Sequence, residues 1–89
     1  MNVRWTPTAA RDLEQVCDYI AQDRPEAAAR TADALLAGLE ALQQNPSLGR
    51  PGRLRGTREL IFSPYVVSYR IKSGAIEILS IIHGARRWT

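Results

Sequence analysis

The spacing of apolar residues changes period once along this chain, and that change limits the fold more than any other feature. In the first half, Ala9, Leu13, Val16, Cys17 and Ile20 recur at helical intervals and make one stripe. Ala28, Ala32, Leu35, Leu36, Leu39 and Leu42 make a second. In the second half the period drops to two: Tyr65, Val67, Tyr69 and Ile71 alternate with Val66, Ser68, Arg70 and Lys72. Helices first and strands afterwards predict an α+β fold rather than an alternating α/β one.

Punctuation residues set the boundaries. Val3 and Trp5 alternate within Met1–Trp5, which reads as a first strand. Thr6-Pro7 supplies a hydroxyl cap and a proline at the first helical position. Arg11, Asp12, Glu14, Gln15 and Asp18 fill the polar side of that helix. In Asp23-Arg24-Pro25-Glu26, Asp23 is the expected cap of a second helix and Glu26 suits its positive end. Asn45-Pro46 ends that helix, because a residue before proline avoids the α region. Residues 47–57, rich in Gly, Pro and Arg, read as a loop. Short strands are expected at Glu59–Phe62 and Tyr65–Lys72, separated by Ser63-Pro64. Ser73-Gly74 suits a tight hairpin turn into Ala75–His83, the most apolar strand and the one expected at the centre. The order is β-α-α-β-β-β: a helical hairpin on one face of a small, mainly antiparallel sheet, with residues 1–89 as a single domain.

At 89 residues the chain buries a modest share of its surface, so help from a partner is an expectation. No apolar run approaches the ~20 residues of a membrane span. Met1–Trp5 leads directly into patterned sequence, so no secretory signal is expected. The single Cys17 lies on an apolar helix stripe and reads as a small buried hydrophobe, which fits a reducing cytoplasm.

Charge is unevenly divided. Residues 1–46 hold four arginines against seven carboxylates. Residues 47–89 hold seven arginines and Lys72 against Glu59 and Glu77 alone. Such asymmetry points to an anionic partner for the second half, with a solvated basic face as the plain alternative. Arg53, Arg55 and Arg58 in and after the loop, Arg70 and Lys72 on one strand face, and Arg86, Arg87 and Trp88 near the last residues are the candidate target-binding groups. Arg and Trp are enriched where interfaces carry energy. Glu59 and Glu77 read as strand-surface residues. One His and one Cys, far apart, supply no usual metal set. The basic loop lacks the phosphate-loop pattern and precedes no helix. No metal and no cofactor are expected.

The ordered set of motifs resembles a known group. Asn45-Pro46 followed by Gly49-Arg50, Thr57-Arg58-Glu59-Leu60, Pro64-Tyr65-Val66-Val67 followed by Tyr69-Arg70, and the closing His83-Gly84-Ala85-Arg86-Arg87-Trp88 look like the RelE/ParE superfamily. The likeness covers essentially the whole chain and is nearest to ParE-like members. It implies the toxin half of a bacterial type II toxin–antitoxin pair, neutralised in a hetero-oligomer by an antitoxin that wraps the helical hairpin and the sheet. Leu36, Leu39, Tyr69 and Arg70 are the expected antitoxin contacts.

The superfamily divides into ParE-like poisons of DNA gyrase and RelE-like endoribonucleases that cut messenger RNA on the ribosome. Metal-free RNA cleavage needs an activated 2′-hydroxyl, a protonated leaving oxygen and cations on the developing charge. RelE-like enzymes carry an arginine just after the strand-opening tyrosine, where this chain has Val66. Some relatives carry a catalytic glutamate in the mid-chain loop, where it has Gly52. Several end on a titrating tyrosine, where Trp88 stands. Some nuclease parts remain. Arg53, Arg55, Arg58, Arg70, Arg86 and Arg87 could hold phosphate, His83 could act as acid or base, and Glu59 is the nearby carboxylate besides Glu77. The nuclease alternative would use Arg70, His83 and Arg86. The resemblance therefore favours a gyrase poison. A ribosome-dependent nuclease and a non-toxic antitoxin-binding module acting in operon autoregulation are the alternatives.

Overall fold

A computed structural model describes residues 1–84. The elements are β1 (Asn2–Trp5), α1 (Pro7–Ala21), α2 (Pro25–Gln44), β2 (Arg50–Pro51), β3 (Arg58–Phe62), β4 (Tyr65–Lys72) and β5 (Ala75–His83). They form one mixed sheet in the order β1-β5-β4-β3-β2. β1 pairs with β5 in parallel, and the other neighbours are antiparallel. The two helices cover one face. The core lies between, built from Ala9, Leu35, Leu39 and Leu42 of the helices and Val67, Tyr69, Ile76, Ile78 and Ile81 of the sheet. Among the described residues no helix is long and apolar enough to cross a membrane.

The α+β architecture follows the change of period, with three local departures. The loop expected over 47–57 contains β2, whose two residues pair with Arg58 and Glu59. That extra strand leaves β4 rather than β5 in the middle of the sheet. Asp23 does not cap α2: the N-cap is Arg24, with no side-chain hydrogen bond. At α1 the expected cap forms. The Thr6 hydroxyl accepts from the Ala9 amide at 3.1 Å and donates to the Ile78 carbonyl at 2.7 Å, fastening the helix start to β5.

β5 carries a bulge. Ser68 faces Ser80 and Tyr69 faces Ile78, so Leu79 is the extra residue. The bulge explains why Ile76, Ile78 and Ile81 all reach the core although their spacing breaks a strict alternation. β1 ends opposite Ile78, and beyond it the Ile81 amide is met by an Asp12 carboxylate oxygen at 3.0 Å. Asp12, expected on the polar side of α1, is thus a structural acceptor for the sheet.

At the other end of the helical layer, Tyr69 joins the sheet to the exit of α2. Its hydroxyl donates to the Pro46 carbonyl and accepts from the Gly49 amide, both at 2.8 Å. Gly49 is required there, since an added Cβ would stand 2.7 Å from the Tyr69 ring and 2.8 Å from the Glu59 carbonyl oxygen.

Candidate functional site

The face of the sheet away from the helices carries Arg70, Lys72 and Glu77 of the second half. Side chains alternate across a strand, so the residues between the core positions Val67, Tyr69, Ile76 and Ile78 point to this side. The face has two unlike halves. Near the Ser63-Pro64 turn it is apolar, with Ile61, Val66 and Ile82. Val66, which alternates onto the face of Ser68, Arg70 and Lys72, is 5% exposed. Toward the Ser73-Gly74 turn the face is charged.

There, Arg4, Glu77 and Arg70 stand in register across β1, β5 and β4. Arg70 Nε donates to Glu77 Oε1 at 2.6 Å. Arg4 Nη2 lies 3.8 Å from Glu77 Oε2. The hydrogen bond from Arg70 holds the Glu77 carboxyl below its ordinary value, and the charges of Arg70, Lys72 and Arg4 act in the same direction against partial desolvation. Arg4 is absent from the sequence candidates, although its alternation with Val3 and Trp5 puts it opposite the core and could have found it.

A second acid–base group organises the basic loop. Glu59 is 4% exposed, so it is not the strand-surface residue expected. It takes the Arg50 guanidinium at 3.4 Å and the Arg53 amide at 3.3 Å. With Ser68, Ser80 and Thr57 it lines a recess of about 180 Å³. Arg53 and Arg55 are exposed at the rim of the sheet. Arg58 braces the chain after α2: its guanidinium donates to the Gly49 carbonyl at 2.8 Å and the Ser47 carbonyl at 3.4 Å. Gly52 is closed to substitution. An added Cβ would collide with the Thr57 hydroxyl, and its amide donates to the Thr57 carbonyl at 2.8 Å.

His83 lies on the opposite, helix-covered side. It meets the Tyr65 ring edge-on with centroids 5.7 Å apart. The two residues line a cleft of about 250 Å³ against α1, with Asp12, Val16 and Tyr19. His83 pairs with Tyr65 and Glu77 with Arg70, so five residue steps of β4 separate His83 from Arg70. At the usual rise that is about 17 Å along the strand, and the two side chains are on different faces. Arg86, Arg87 and Trp88 lie outside the described residues.

Of the expected antitoxin contacts, Leu36 is 50% exposed and Arg70 half-buried, whereas Leu39 and Tyr69 are core residues with no surface to offer a partner. Tyr69 alternates onto the helix-facing side and Leu39 onto the buried stripe of α2. Cys17 is partly buried, and desolvation, helped by neighbouring Asp18, pushes its thiol up from 9.0. It stays protonated at neutral pH. Among the described residues no three His, Cys, Asp or Glu side chains are grouped to hold a metal ion.

This arrangement matches a known family. The model of the ParE toxin of the type II toxin–antitoxin system parDE matches residues 3–88. The chain belongs to the ParE toxin family. Y4kP of Sinorhizobium fredii is 42% identical to this ParE-family chain over 88 residues, covering 97% of it and 91% of the relative. Toxin RelE2 of Caulobacter vibrioides is 36% identical over 84 residues, covering 94% and 96%. Among solved structures, the chromosomal ParDE system of P. aeruginosa superposes with a TM-score of 0.84 at 31% identity, over 93% of this chain and 95% of that one. The RelBE2 toxin–antitoxin complex of Mycobacterium tuberculosis gives 0.62 at 28%, over 92% and 95%. The ParE family and its α+β fold are thereby shown, with two helices on a five-stranded mixed sheet.

Proposed function

We propose that this ParE-family toxin arrests growth in the cytoplasm by poisoning DNA gyrase on DNA, and that a cognate antitoxin neutralises it. The observation that carries the reading is the separation of the nuclease candidates. Acid–base cleavage requires its groups within hydrogen-bond reach of one phosphate. His83 sits against Tyr65 in the α1 cleft, while Arg70 is held by Glu77 on the far face. The buried Val66 and the closed position at Gly52 support the same reading, since both stand where a nuclease would carry a charged side chain. Action by binding requires no such convergence. It requires a basic surface, and Arg4, Arg53, Arg55, Arg70 and Lys72 provide one.

The antitoxin side of the proposal rests on two observations. Solved ParDE and RelBE2 relatives are toxin–antitoxin systems. The helical hairpin also leaves Tyr19 67% and Leu36 50% exposed, apolar surface that an amphipathic antitoxin segment fits.

The test is a gyrase supercoiling reaction with purified protein, run beside induction of the chain without its antitoxin. Lost supercoiling with accumulated cleaved DNA is expected. Normal supercoiling together with growth arrest and fragmented messages would replace the proposal with the ribosome-dependent nuclease. Growth without arrest would leave only an antitoxin-binding module.

A further inference from the structure

We propose that the in-register row Arg4–Glu77–Arg70, with Lys72 beside it, is a contact surface for the phosphate backbone of duplex DNA. Three adjacent strands bring the row together. Arg4 on β1 and Arg70 on β4 both face Glu77 on β5. Neighbouring strands are about 4.8 Å apart, so the two arginine backbones stand roughly 10 Å from each other across one carboxylate. Lys72 lies two residues along β4 from Arg70 and therefore on the same face. The row thus holds three cations and one anion. Glu77 engages one nitrogen of each guanidinium. A guanidinium has five N–H donors in a rigid fork, so donors remain on both, and the arginine side chains are 54% and 41% exposed.

Charge complementarity selects a polyanion, and the rest of the face selects a duplex. Single strands are gripped by aromatic rings on which bases stack. Among the described residues no aromatic ring lies on this side: Trp5, Phe62 and Tyr65 pack against the core, Tyr69 is within it, and Tyr19 is on α1. A row of forked cations without stacking groups fits phosphates, which position a protein on DNA without reading sequence. The inference deepens the gyrase reading, because it puts the DNA of the gyrase–DNA assembly on these strands.

Glu77 gives the proposal its sharpest consequence. If the row meets phosphates, the carboxylate between the arginines opposes binding by repulsion while holding Arg70 in place. Glu77→Gln keeps an oxygen that accepts from Arg70 and removes the charge. It should tighten duplex binding about twofold, the effect of deleting one charge some 8 Å from a phosphate in water.

The experiment is titration of a short labelled duplex with the full chain at several salt concentrations, in the absence of gyrase. Each phosphate contact steepens the dependence of log affinity on log salt by about 0.9. Arg4→Ala and Arg70→Ala should each reduce the slope by about one, Arg4→Lys should restore it, and Glu77→Gln should bind more tightly than the parent. Circular dichroism melting checks that every variant is folded. Unchanged slopes in both alanine variants, weaker binding by Glu77→Gln, tighter binding to single strands than to duplex, or equal binding to polyglutamate would each overturn the inference. Unchanged salt slopes in both arginine variants, with gyrase inhibition by the parent intact, would refute this row and leave the proposed function standing. Failure of that function would appear in the supercoiling reaction instead.

Discussion

Tyr69 is the residue on which the two halves of the molecule meet. It is fully buried, and its hydroxyl is the acceptor for the Gly49 amide and the donor to the Pro46 carbonyl. Tyr69→Phe leaves both groups without that partner. A buried group left unsatisfied costs about 1–3 kcal/mol, and urea denaturation of the variant should show a loss of that size. Alternation along β4 places Tyr69 on the inward side of its strand, but it cannot assign the hydroxyl, because the partners lie 20 and 23 residues away. Arg58 and Asp12 are illegible for the same reason. Both read as surface charges, and both serve backbone groups distant in sequence: the Gly49 carbonyl for Arg58, the Ile81 amide for Asp12.

Elements are the most legible level. The α1 cap, the α2 exit, the Ser73-Gly74 hairpin and the long strands follow from local chemistry that acts within a few residues. At the hairpin, Ser73 and Gly74 both adopt positive φ, +53° and +75°, as the type I′ form of a two-residue turn requires. The Arg50–Pro51 strand and the Leu79 bulge are not legible, since each is defined by register with another strand rather than by its own composition. Packing between elements also reverses a propensity argument at Gly38. Alanine is about 1 kcal/mol better than glycine in a helix interior, but a Cβ at Gly38 would overlap the Phe62 ring. Overpacking a fitted contact costs about 1–3 kcal/mol. Gly38→Ala should therefore destabilise the protein in thermal melting despite the gain in helix propensity.

Across the whole molecule, charge is sorted by face and end. Among the described residues the seven carboxylates of the first half lie on or between the helices, while Arg4, Arg70 and Lys72 lie on the open face of the sheet, so the asymmetry read from the sequence becomes a directional field. That field has a pH limit. Glu77 is depressed below its ordinary 4.5, so its share of stability is complete above that value and is lost as pH falls through the lower value of the folded state. Stability of the parent against pH should drop on the acid side of 4.5, and Glu77→Gln should lack that component. Acid-side unfolding curves that remain parallel for the two proteins would contradict the assignment.

The parallel pairing of β1 with β5 has a consequence for how the protein comes into being. Residues 2–5 find their partners at 75–78, almost the full length of the chain away. A nascent chain emerges with its first strand already made and nothing for it to join, and no local turn can bring the partner sooner. The Arg4–Glu77–Arg70 row spans that same junction. A product that stops before Ala75 can carry every helix and the whole basic loop and still lack the row, so the face proposed to meet DNA is assembled by the last strand of the sheet to be synthesised.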